Sequence, residues 1–76
     1  MGLKQTADRL VMALNRSGQT VRLEEKTFYS RKYERLITKR IVTRKNADTG
    51  KWERVLETYK LPEVVRVLAE MFRENG

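Results

Sequence analysis

The segment YERLITKRIVTRK, from Tyr33 to Lys45, decides the fold. Five of its residues are β-branched: Ile37, Thr38, Ile41, Val42 and Thr43. Such side chains fit a pleated strand better than a helix. Turn-forming residues flank the segment, with Ser30-Arg31-Lys32 before it and Asn46-Ala47-Asp48-Thr49-Gly50 after it. The final glycine of the second turn supplies a positive φ angle. We therefore predict one long strand between two turns.

On both sides of this segment the character of the side chains alternates with a period of two residues, which predicts two further strands. Before it, two sets of residues alternate in a pattern typical of a strand with one apolar face, interrupted at Glu25: Val21, Leu23, Thr27 and Tyr29 on one side, and Arg22, Glu24, Lys26 and Phe28 on the other. After it, alternation resumes from Trp52 to Tyr59. The central part of the chain is therefore predicted to be a three-stranded antiparallel meander.

Helical periodicity marks both ends of the chain. From Leu3 to Arg16, one stripe of a helix is apolar: Leu3, Ala7, Leu10, Val11 and Leu14. Ser17-Gly18 can close this helix. Near the other end, Pro62 suits the first turn of a helix and Glu63 favours its positive end. A second stripe follows: Leu61, Val64, Val65, Leu68, Met71 and Phe72. We predict one α+β domain over residues 1–76, with both helices packed on one face of the meander.

The net charge of +7 lies entirely between Lys26 and Lys45. This stretch has eight bases and one acid, Glu34, whereas the rest of the chain has nine bases and nine acids. Eight neighbouring cations repel one another, so their concentration favours a polyanionic partner. Nucleic acid is the leading candidate, DNA more than RNA. The alternative is a solvated basic surface without a partner.

Several function classes find no support in the composition. The chain has no histidine and no cysteine, so zinc and disulfides are not expected, and no cofactor is predicted. Glu24 and Glu25 are adjacent on a strand and point to opposite faces, so they form no acid pair. We predict that the protein is not an enzyme and binds no small-molecule substrate. No apolar run is long enough for a secretory signal or a membrane span, which places the chain in the cytoplasm or nucleoid.

The pairing register of the second and third strands decides which cations share a face. In the favoured register Thr43 pairs with Glu53 and Ile41 with Val55, and Lys39 faces Glu57. The core face then carries Ile37, Ile41, Val55 and Tyr59. The solvent face carries a cationic platform around an indole, together with two aliphatic residues: Arg40, Arg44, Trp52 and Arg54, with Val42 and Leu56.

A shift of one residue gives the alternative register. Thr43 then pairs with Arg54, and Trp52 joins the face of Ile37 and Ile41 as a core residue. Arg40 and Arg44 would meet Glu57 and Glu53, which would partly neutralise the platform. Trp52 thus has two interpretations, a core residue at the end of the hairpin or a ring that stacks on a base.

The turn between the first two strands is less dependent on register. It combines Arg31, Lys32 and Arg35 with Tyr29 and Tyr33, and is either a groove-entering element or a solvated loop. The same cations could instead protect an edge strand from aggregation. The candidate nucleic-acid-binding residues are Arg31, Lys32, Arg35, Lys39, Arg40, Arg44, Trp52 and Arg54. The alternative function is a protein-interaction or assembly module, homodimeric, that binds an acidic or edge-strand partner.

The element order is similar to that of the double-stranded-RNA-binding domain, which also runs helix, three strands, helix. That family grips phosphates with a basic cluster at the start of its second helix, where this chain has Leu61-Pro62-Glu63. The resemblance is one of topology, and it implies no binding residue here. Proteins that lay a three-stranded sheet in the major groove of DNA offer an analogy of shape that suits the position of the charge.

Overall fold

The computed structural model describes residues 2–75. Its elements are α1 (Leu3–Arg16), β1 (Val21–Ser30), β2 (Arg35–Lys45), β3 (Trp52–Thr58) and α2 (Leu61–Asn75). The three strands form one antiparallel sheet in the order β1-β2-β3, and both helices pack against the same face of it. The predicted α+β architecture is confirmed. The long central strand begins at Arg35 rather than Tyr33 because residues 31–34 form the turn.

The ends of α1 and of the second hairpin use glycine as predicted. Gly18 has a φ of 106°, and the amide N–H of Gln19 donates to the carbonyl of Leu14 at 3.2 Å, which closes the last turn of α1. Gly50 has a φ of 73° in the β2–β3 turn. There the side chain of Asn46 accepts hydrogen bonds from the N–H groups of Asp48 and Thr49. Neither helix is long and apolar enough to cross a membrane within residues 2–75.

The core lies between the two helices and one face of the sheet. Its buried residues come from four elements: Ala7, Leu14, Val21, Val42, Val64, Leu68 and Met71. Leu23 pairs with Val42 across the first hairpin, and Leu56 pairs with Val42 across the second, so all three side chains lie on the helix-facing side. Full burial of an aliphatic side chain such as Val42 is worth about 1.5–3 kcal/mol.

The predicted choice of core face in β2 is wrong. Val42, assigned to the solvent face, is fully buried under the helices, whereas Ile37 and Ile41 lie on the side away from them. Ile41 is nevertheless only 6% exposed, although it is not part of the core cluster. The reason is the first hairpin, because the apolar side of β1, with Val21 and Leu23, pairs with Arg44 and Val42.

The favoured β2–β3 register is also wrong, and the alternative holds only near the turn. Thr43 pairs with Arg54 as in the alternative, but Val42 pairs with Leu56, so a β-bulge shifts the register by one residue. Val55 is the extra residue. Consequently Val55 and Leu56 both pack against the core although they are adjacent in sequence.

Asn15 links the end of α1 to the start of β1. Its side-chain Nδ2 donates to the carbonyl of Val21 at 3.0 Å, and its Oδ1 accepts from the N–H of Val21 at 3.0 Å. The same Nδ2 also donates to the carbonyl of Val11 at 2.8 Å. One amide therefore satisfies both backbone groups of a buried residue at the edge of the sheet.

We expect Asn15→Ala to lower the free energy of unfolding by about 1–2 kcal/mol, because both hydrogen bonds to Val21 are lost and the freed groups lie beside the core. Chemical denaturation followed by circular dichroism measures the change. Gln5→Ala removes an exposed amide from the same helix and should change stability by less than about 0.5 kcal/mol. Equal stability of the two variants would contradict the role of Asn15.

Candidate nucleic-acid interface

The sheet face away from the helices, called the open face below, has more cations than acids. Six cations lie on this face: Arg22, Lys26, Arg35, Lys39, Lys45 and Arg54. The turn at residues 31–34 adds Arg31 and Lys32 beside Glu34, and the acids of the face are Glu24 and Glu57. The open face and this turn together form what we call the basic surface, with eight cations and three acids.

Trp52 lies on the open face with Arg22 stacked over it. The guanidinium carbon of Arg22 is 4.5 Å from the centroid of the indole ring, and Arg22 also lies 3.8 Å from a carboxylate oxygen of Glu24. Trp52 is not the core residue that the alternative register predicted, since it stays 42% exposed. Arg22 was not among the predicted residues. Its proximity to Trp52 follows from the two registers combined, because Arg22 pairs with Thr43 and Trp52 with Lys45.

Glu57 partly neutralises the middle of the open face. The predicted proximity of Lys39 and Glu57 is confirmed, with Lys39 Nζ 2.6 Å from Glu57 Oε1, while Arg54 Nη1 lies 2.6 Å from Oε2. The hydrogen bond between Lys39 and Glu57 raises the pKa of Lys39 and lowers the pKa of Glu57. The pair therefore stabilises the fold between these two pKa values, and its contribution is lost as pH falls through the lowered pKa of Glu57 or rises through the raised pKa of Lys39.

Three cations of the open face are more available than those around Glu57. Lys26, Arg35 and Lys45 form no ion pair with any residue in the range 2–75. Lys26 pairs directly with Lys39 across β1 and β2, so two like charges are neighbours. Like charges directly opposite each other are destabilising, and the Glu57 carboxylate beside Lys39 offsets part of this repulsion.

An aromatic cluster lies at the end of the open face where the turn between β1 and β2 is located. Phe28 and Tyr59 meet edge to face, with ring centroids 6.4 Å apart and planes at 62°. In the turn, the Tyr33 ring has Lys32 Nζ at 5.4 Å and the Arg35 guanidinium at 5.8 Å from its centroid. The predicted cations Lys32 and Arg35 therefore both lie near Tyr33, and Arg31 belongs to the same turn. Glu34, also in this turn, has a φ of 51°.

Arg40 and Arg44 lie on the helix-facing side, so their predicted grouping with Trp52 and Arg54 is wrong. Arg40 is held between two elements, with Nε 3.4 Å from Glu25 Oε2 and Nη1 donating to the carbonyl of Tyr59 at 3.0 Å. Glu25 also pairs with Lys4 of α1, and this hydrogen bond raises the pKa of Lys4. Arg44 has Val21 and Glu53 as its cross-strand neighbours, as the alternative register predicted for Glu53.

The position of Arg40 predicts that it contributes to stability. We expect Arg40→Ala to lower the free energy of unfolding by about 1–2 kcal/mol, because a side chain only 19% exposed loses a carboxylate partner and a carbonyl partner. Denaturant titration tests this. Lys26→Ala, which removes an exposed cation from β1, should change stability by no more than about 0.5 kcal/mol. An unchanged midpoint for Arg40→Ala would show that its contacts are not stabilising.

Residues 2–75 contain no group of three or more acidic, histidine or cysteine side chains that could hold a metal ion. Comparisons with protein-family models, with curated proteins and with solved structures find no match to this chain.

Proposed function

We propose that the protein binds nucleic acid through the basic surface, with most of the affinity supplied by contacts to phosphates. The observation that supports this most is the combination, on the basic surface, of five cations in excess of acids with four exposed aromatic rings. Charge alone would suit any polyanion. Rings between the charges add a π-surface for bases, which nucleic acid has and acidic proteins lack.

The predicted binding residues divide into two groups in this proposal. Those on the basic surface contact the ligand: Arg31, Lys32, Arg35, Lys39, Trp52 and Arg54, joined by Arg22, Lys26 and Lys45. Arg40 and Arg44 lie on the helix-facing side and are not assigned contacts to the ligand. Arg40 acts through the fold, since Glu25 and the Tyr59 carbonyl occupy its guanidinium. DNA is favoured over duplex RNA because the deep, narrow major groove of A-form RNA does not admit a sheet face.

Salt dependence gives the first test. Five net cations predict that log affinity falls with log salt with a slope of about −4.5 for duplex DNA and about −3.5 for single strands. In Lys26→Ala/Arg35→Ala the slope should become shallower by about two, and affinity at ~0.1 M salt should fall at least tenfold. Fluorescence anisotropy with labelled duplex DNA, single-stranded DNA and duplex RNA at several salt concentrations measures both quantities.

A control with the same change in net charge is Arg66→Ala/Arg73→Ala, two exposed positions on α2 behind the sheet. It should leave the slope nearly unchanged.

The opposite change, Glu57→Gln, frees Lys39 and Arg54 and should tighten binding and steepen the slope by about one. The matched control Glu70→Gln on α2 should change neither the affinity nor the slope. Absence of binding at low salt, or equal losses in both double variants, would refute the proposed interface.

A second candidate function, self-association as a protein-interaction module, is favoured by the outer surface of the helices. Met12 and Phe72 are exposed large apolar side chains, and with Ala13 they line a hollow of about 470 Å³ whose lining also includes Arg9 and Arg16. A chain of this length buries only about 60% of its unfolded surface, so a second copy would add to a small core.

Sedimentation equilibrium tests this second candidate. We expect a monomer–dimer equilibrium that Phe72→Lys shifts at least fivefold toward monomer, because a charge at an apolar contact must be desolvated. Leu36→Lys, at an exposed apolar position of the first hairpin, is the matched control and should not shift it. A monomer at every concentration would exclude the module as a homodimer.

A further inference from the structure

A hollow of about 670 Å³ lies beside the turn between β1 and β2, at one end of the basic surface. Its lining combines three aromatic rings with three cations: Phe28, Tyr33, Tyr59, Lys32, Arg35 and Lys60. No carboxylate is among its lining residues. The rings are 41%, 57% and 53% exposed in that order, so each has surface that no other side chain covers.

The arrangement of these rings suits a flat aromatic ligand. Phe28 and Tyr59 contact each other edge to face, and two cations lie within 6 Å of the centroid of the Tyr33 ring. Aromatic side chains have few rotatable torsions, so they lose little conformational freedom when a ligand binds, which favours affinity. The three cations in the lining can pair with negative charge that is attached to the ligand.

A nucleobase with its flanking phosphates combines these two properties, but only when the base is unpaired. In a duplex the base faces are stacked on one another and cannot reach a ring of the protein, whereas single strands expose them. Acidic peptides would satisfy the cations and leave the rings unused. We propose that this hollow binds an unpaired nucleobase, so that the protein prefers single-stranded nucleic acid; this inference rests on the proposed nucleic-acid binding.

The test separates bases from phosphates. A single-stranded DNA oligonucleotide, an abasic strand with the same number of phosphates, and a duplex with the same total number of phosphates are titrated with the full chain. We expect the strand with bases to bind at least fivefold more tightly than either of the other two. A fivefold loss of affinity is about the smallest effect expected when one stacked base is removed. All three should show a steep salt dependence, because the phosphate contacts are shared.

Two variants locate the effect. Phe28→Leu and Tyr59→Leu should each reduce the advantage of the base-containing strand over the abasic strand at least threefold, without a change of salt slope. Tyr29→Leu is the matched control, since Tyr29 is 59% exposed on the same strand but lies on the helix-facing side of the sheet. It should leave the advantage intact. Far-ultraviolet circular dichroism checks that each variant is folded.

The outcomes separate this inference from the proposed function. Equal affinity for the base-containing and abasic strands, with a steep salt dependence, would overturn the inference and leave nucleic-acid binding in place. A base advantage that Tyr29→Leu removes and Phe28→Leu does not would also overturn it, because the site would lie elsewhere. Absence of binding to all three ligands at low salt would overturn both. If a variant fails to fold, the comparison of the three ligands with the natural chain still decides.

Discussion

The pairing of Leu23 with Val42 across the first hairpin determines which face of the sheet the helices cover. Side chains alternate along a strand, so this one pairing sends Val21 and Val42 into the core and leaves Ile41 on the open face. A slip of one residue would bring Arg22 under the helices and expose Val21, with the loss of two buried aliphatic side chains and the burial of a charge. The distribution of the cations between the two faces is a consequence of the same constraint.

The helices and the order of elements follow from local signals, which is why they are predictable. Leu3–Arg16 is predicted to the residue because a complete apolar stripe ends at a Ser-Gly pair. The faces of β2 are not predictable from β2 itself, since Ile41 and Val42 are adjacent and equally apolar. Only the alternation of β1, which has polar and apolar sides, distinguishes them. Val55 and Leu56 present the same ambiguity in β3, and the bulge resolves it by turning both toward the core.

Strand alternation also explains why a contiguous basic segment does not form a contiguous basic patch. Neighbouring residues such as Lys39 and Arg40 point to opposite faces, and Arg40 becomes a link between Glu25 and the end of β3. The open face regains charge from the other strands, through Arg22 of β1 and Arg54 of β3. These two residues lie outside the segment that holds the net charge. Their membership of the site depends on pairing registers, so no count of charges along the chain could identify both.

The cations of the open face have a second physical use, because interspersed charges prevent a flat sheet from pairing with other sheets. Solubility accounts for Lys26 and Lys45 equally well, but it does not account for the rings. A face selected only to stay in water would replace Phe28, Tyr59 and Trp52 with small polar residues, since exposed aromatic surface favours aggregation. Each of these rings instead has a partner within the face, Arg22 over Trp52 and Phe28 against Tyr59. The exposed rings, which solubility does not require, are therefore the feature on which the proposed binding of a ligand rests.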